Sequence, residues 1–157
     1  MKKIFYIIFL FLTISASAQC DSISEMNAQI IELVGKKIGT KVGRGQCWDL
    51  AKYVLSETGA NWDYAYKFGR VLKKGECIMP GDIIQFEKLE TETENNGVKS
   101  KELFPHHTAI IYDVRSADEL VLVHQNTSYT GKSVGTSMFR FSTITTGRYI
   151  IYRPVSF

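Results

Sequence analysis

The chain has 157 residues, with 19 Lys and Arg against 16 Asp and Glu, and its formal charge of +3 includes Lys2 and Lys3. The remaining charge is near balance and forms no basic stripe, so nothing in the composition points to nucleic acid. This length lets one domain bury a sizeable core without help from disulfides or metals.

Residues 1–18 join a Met1-Lys2-Lys3 start, an apolar run from Ile4 to Ile14 and the small residues Ser15-Ala16-Ser17-Ala18. These are the parts of a secretory signal peptide. The expectation is a secreted or periplasmic protein whose residues 19–157 form one domain, monomeric and without stable membrane insertion once the signal is removed. No later segment approaches the ~20 apolar residues that span a bilayer, and Gln19 argues against a lipid on Cys20. Three cysteines, Cys20, Cys47 and Cys77, are an odd number for an oxidising compartment. If Cys20 pairs with Cys77, Cys47 is the free thiol, although spacing does not decide connectivity.

Between Asp21 and Ile38, Ile23, Met26, Ile30, Leu33, Val34 and Ile38 recur at three and four. This predicts an amphipathic helix, with Ser22 and Glu25 as a capping box and Gly39 as its stop. Gly39 to Gln46 contains three glycines and reads as a loop. A second helix is predicted from Cys47 to Thr58, with Trp48, Ala51, Val54 and Leu55 on one side and Gly59 beyond it.

An aromatic connection follows, containing Trp62, Tyr64, Tyr66 and Phe68, and then the period changes. Ile83 to Phe86, Thr108 to Val114, Leu120 to Gln125 and Arg148 to Arg153 are rich in branched and aromatic residues and bounded by turns such as Pro80-Gly81. Helices first and strands after predict an α+β domain with an antiparallel sheet. The charged stretch Glu87 to Glu102 is either a hairpin with its tip at Asn95-Asn96-Gly97 or a mobile loop beside the site.

A cysteine at the start of a helix is placed for chemistry. Unpaired N–H groups and the partial positive charge there favour a thiolate, and an imidazole completes the activation as ion pair or general base. The chain has only His106, His107 and His124. Strand alternation puts His124 and Asn126 on one face and Gln125 on the other, so either His124 or Asn126 can orient His107. His106 follows Pro105 and faces away from His107, so the two are not expected to serve one cleft or to bind one metal. Asp82 is expected to brace the Pro80-Gly81-Asp82 turn. Motifs for nucleotide, zincin and zinc-ribbon sites are absent, and no cofactor is expected.

The order "GRGQCWDLA", "MPGDIIQF", "HHTAIIYDV", "ELVLVHQN" and "RYIIYRPV" resembles the NlpC-type and CHAP cysteine peptidase-amidase superfamily, which has a papain-like fold. The resemblance runs from about Val42 to the C-terminus. It implies Cys47 as nucleophile, His107 as base and His124 as the orienting third residue, with Asn126 its alternative and Gln46 placed to polarise the scissile carbonyl. The implied substrate is an amide bond in a peptide or in peptidoglycan. Trp48 stands where NlpC-type sequences commonly carry serine, and the third position is not the glutamate frequent in CHAP domains. The first motif also resembles the cysteine-proteinase-fold domain of fungal cortical-actin adaptor proteins, which implies a second reading, a binding or scaffold module that does no chemistry.

Overall fold

The computed structural model describes residues 22–157, so the expected signal peptide and Cys20 lie outside the described residues. Helix α1 spans Glu25–Gly35 and buries Asn27, Ile30 and Val34. Its cap is Ser24, whose hydroxyl accepts from the Asn27 N–H at 3.1 Å, so the expected Ser22–Glu25 box is replaced by a cap two residues later. Helix α2 spans Cys47–Glu57 and buries Asp49, Leu50, Ala51, Val54 and Leu55. It begins at the residue predicted from the glycine-rich loop. Among the described residues no helix is long and apolar enough to cross a membrane.

Strands β1 (Arg70–Val71), β2 (Ile83–Asn95), β3 (Val98–Val114), β4 (Glu119–His124), β5 (Gly135–Arg140) and β6 (Ile144–Arg153) form one sheet in the order β1-β6-β2-β3-β4-β5, every pair antiparallel. The charged stretch is the far half of the β2–β3 hairpin. Asn96 and Gly97 turn it with φ of 51° and 78°, as a two-residue hairpin requires. Strand β5 was not foreseen, because "GTSMFR" buries only Phe139 and so shows little apolar alternation.

The strand period sorts the sheet into two faces. Tyr152, Ile83, Ile110 and Val123 are register partners across β6, β2, β3 and β4, and they pack against Ile30, Val34, Leu50, Val54 and Leu55 of the helices. One residue along, Ile151, Ile84 and Ala109 form the opposite row, which joins a second core with Phe86, Ile111, Leu122 and Phe139. Both faces are therefore buried near the sheet centre.

The two-residue period breaks beside the adjacent histidines. Phe86 and Leu89 share the second core, as do Phe104 and His107 by ring contact, although each pair is three residues apart. Lys88 has φ 49°, Pro105 opposite it can donate no ladder bond, and the β2–β6 register shifts between Glu87 and Glu90. A Cβ on Gly147 would collide with the Lys88 carbonyl, so only glycine fits opposite this bulge. This irregularity lies at the strand position of the adjacent histidines.

The Pro80-Gly81-Asp82 turn anchors the frame. Asp82 accepts from the Met79 N–H, as a turn-bracing residue should, but it does more. It is fully buried and holds Arg153 by two bonds of 2.9 and 2.8 Å, while Asn27 of α1 donates to it at 3.0 Å. One carboxylate thus ties α1, the turn and β6. Arg153 also donates to the Cys77 carbonyl at 2.6 Å. Cys77 is disulfide-bonded and Cys47 is free, while Cys20, the expected partner, is outside the described residues.

Candidate active site

The loop before α2 is held from two sides. The Asp49 carboxylate, one turn into the helix, accepts from the Arg44 N–H at 2.8 Å and the Gln46 N–H at 3.1 Å. Gly43, at φ 56°, lies so close to Asp49 that a Cβ would stand 2.9 Å from its side chain. From the sheet, buried Gln125 donates to the carbonyls of Gln46 (2.7 Å) and Val42 (3.0 Å) and accepts from the Val42 N–H (3.1 Å). The segment carrying Cys47 is therefore clamped to the end of β4. Trp48 turns away from the thiol, donates to the Ala65 carbonyl at 2.6 Å and packs near Trp62.

Cys47 is half-buried in a cavity of about 330 Å³ whose other walls include Glu102, His106, His107, Asn126 and Ser128. His107 comes from β3 and is buried. Its Nε2 lies 2.9 Å from Nδ1 of His124, which is fully buried at the end of β4. The His107 ring lies nearly parallel to Phe86, 6.3 Å away, and 5.3 Å from Phe104. Burial, aided by the neighbouring His106, lowers the His107 pKa to about 4; burial, aided by His107, lowers that of His124 to about 3. Both rings are therefore neutral at pH 7.

Nδ1 of His107 makes no hydrogen bond to a described residue, and among the described residues no fully buried side-chain nitrogen or oxygen lacks a partner. That nitrogen therefore keeps some open surface. The structure thus brings Cys47 and His107 to one cavity and gives His107 the His124 partner, but Cys47 makes no hydrogen bond to either ring among the described residues.

Two details depart from the sequence reading. His106 faces the helix side, paired with Glu87 at 3.2 Å and edge-on to Tyr66 at 4.2 Å, yet it lines the same cavity as His107. The cavity is thus lined from both faces of β3, beside the irregularity at Lys88 and Pro105. Asn126 does not share the face of His124. The strand ends at His124, Asn126 takes φ 67° and is exposed, and its amide donates to Gln46 Oε1 at 3.1 Å. The third residue touching His107 is accordingly His124, and Gln46 with Asn126 forms the rim beside the thiol.

Gln125, Tyr129 and Ser137 were missed. The Ser137 hydroxyl and the Tyr129 hydroxyl lie 3.0 and 3.1 Å from Nε2 of His124. No local pattern marks them, because β5 was unseen and Tyr129 sits in an irregular loop. Among the described residues no three His, Cys, Asp or Glu side chains converge to hold a metal.

Two helices on an antiparallel sheet, with a cysteine opening the second helix, make a papain-like cysteine-proteinase fold. Residues 18–157 match the AIM3/BBC1 cysteine proteinase-fold domain, and the chain belongs to that family. Two solved structures are similar in fold. The crystal structure of Ly7917 is 14% identical, covers 80% of this chain and 62% of its own, and has a TM-score of 0.52. The structure of Ly7917 with the hydrolyzing product of MDP is 18% identical, covers 82% and 63%, and has a TM-score of 0.50. The chain thus spans less than two thirds of the length of those proteins. The curated proteins give no match.

Proposed function

We propose that the protein is an exported thiol hydrolase of amide bonds, acting on peptides of peptidoglycan. The observation that carries this reading is His107, which is bonded on one nitrogen to buried His124, retains open surface on the other and shares a cavity with the free thiol of Cys47. Nδ1 of neutral His107 takes the thiol proton as Sγ attacks the carbonyl carbon. Backbone N–H groups at the start of α2 receive the oxyanion. Gln46 can add a donor, because Asn126 occupies its Oε1 and leaves its amide nitrogen available.

His107 then returns the proton to the leaving amine as the carbon–nitrogen bond breaks, which leaves a thioester. A water deprotonated by His107 hydrolyses that thioester, freeing the carboxylic acid and restoring the thiol. The signal-like residues 1–18 support export, and the fold shared with Ly7917 supports the substrate class. Mass spectrometry of peptidoglycan fragments incubated with the protein and with Cys47→Ala tests the reading. Cleavage is expected only with the first, and turnover retained by the variant overturns it.

A second reading has its own observation: Cys47 makes no hydrogen bond to His107 or His124 among the described residues. A binding module of the same fold would use the cavity and the exposed Tyr64 and Tyr66 to hold a peptide or glycan. Saturable binding without turnover, unaltered by Cys47→Ala, would favour it.

A further inference from the structure

Behind His107 the structure continues past the expected third residue. His124 has no exposed surface, and both of its nitrogens are engaged: Nδ1 with His107, and Nε2 with two hydroxyls from separate segments, Ser137 of β5 and Tyr129 of the loop before it. In the loop that carries Tyr129, the Thr127 hydroxyl bonds that of Thr130 at 2.7 Å. A buried neutral imidazole carries one proton and chooses its nitrogen by the partners offered.

For His107 to accept a proton at Nδ1, its own proton must be on Nε2, which then donates to Nδ1 of His124. Nδ1 of His124 must therefore be bare, and its proton must sit on Nε2. Nε2–H needs an acceptor in a site without water exposure, and the two hydroxyl oxygens are what the fold supplies. Both hydroxyl oxygens then accept from Nε2–H, and their own protons turn away from the ring.

We propose that Ser137 and Tyr129 are positioning residues that hold His124 in the Nε2–H tautomer and thereby keep Nδ1 of His107 bare toward Cys47. The assignment rests on the hydrolase reading for its use, but the tautomer is a property of the resting protein. Without the hydroxyls, Nε2–H would be buried unpaired, and His124 would move its proton to Nδ1. That proton would then bond His107 Nε2 and drive the His107 proton onto Nδ1, the wrong nitrogen for a base.

Ring nitrogen-15 NMR of the full chain at pH 7 tests this in the wild type, in Ser137→Ala/Tyr129→Phe and in the rescue variant Ser137→Thr. Expected are Nε2–H rings for both His107 and His124 in the wild type and in Ser137→Thr, and a shift of His124 toward Nδ1–H in the double variant. If a substrate is cleaved, kcat in the double variant should fall about tenfold to a hundredfold with KM little changed, by analogy with the loss of outer partners that orient a ligating histidine. A wild-type His124 protonated on Nδ1, or an unchanged tautomer in a folded double variant, overturns the proposal. Absence of any hydrolysis with the tautomers as expected would count against the hydrolase reading and leave this assignment standing.

Discussion

His106 and His107 are neighbours in one strand, yet they belong to different regions of the molecule. His106 is exposed, paired with Glu87 and open to solvent on the helix side. His107 is buried against Phe86 and Phe104 on the far side and held by His124. Residue type and position along the chain are almost the same. Burial is what separates them: one ring stays open to solvent beside Glu87, and the other is neutral and fixed in orientation by His124.

The sharpest break of that comparison is functional. His107→Ala should lower kcat/KM on a peptidoglycan-derived peptide by at least about a thousandfold, near the size seen when a member of a catalytic triad is removed. His106→Ala should stay within about tenfold. Equal losses in the two variants would show that burial does not select the base.

The next effect concerns the frame that both faces share. Asp82→Ala leaves Arg153 uncompensated in a mostly buried site and should cost about 3–5 kcal/mol, lowering Tm in thermal unfolding by on the order of 10 °C. A change below about 1 kcal/mol would mean that solvent takes over the guanidinium.

Acid should separate the two rings by stability. His107 and His124 titrate near 4 and 3 when folded, against about 6.5 unfolded, so below about pH 6.5 the unfolded chain binds more protons. Their contribution is fully present above that pH and is lost as pH falls toward 4, by on the order of 3 kcal/mol per ring. His124→Asn should flatten the dependence of Tm on pH between 6.5 and 4, while His106→Gln leaves it as it is. A wild-type Tm constant over that range would contradict the neutral buried pair.

The smallest effect is the surface pair. Glu87→Gln should change stability by no more than about 0.5 kcal/mol in urea unfolding, because the Glu87–His106 contact is open to solvent. A larger loss would mean that His106 is tied into the structure as firmly as His107.

The catalytic candidates were legible to the extent that each rests on a local signal. Three glycines followed by Cys47 and the apolar spacing of Leu50, Ala51, Val54 and Leu55 define a helix start whatever lies across from it. The runs at Ile83 and Thr108 announce strands by side-chain type. Alternation failed where the chain is not regular: Asn126 leaves the strand, and Lys88 with Pro105 reverses the period. Gln125 was placed only on the face opposite His124, and it is the clamp on the Cys47 loop, a contact across 79 positions with Gln46 that no short window contains.

Local pattern was enough for the two helices, the thiol at the start of the second and the central antiparallel strands, because periodicity and turn chemistry act over a few neighbouring residues; it left His124 and Asn126 as equal partners for His107. Packing of distant segments is what puts β5 and its loop behind His124, Asp82 against Arg153, and both faces of β3 at one cavity. Those outcomes depend on which distant segments exclude water from the same polar atoms, and desolvation is a property of the assembled sheet.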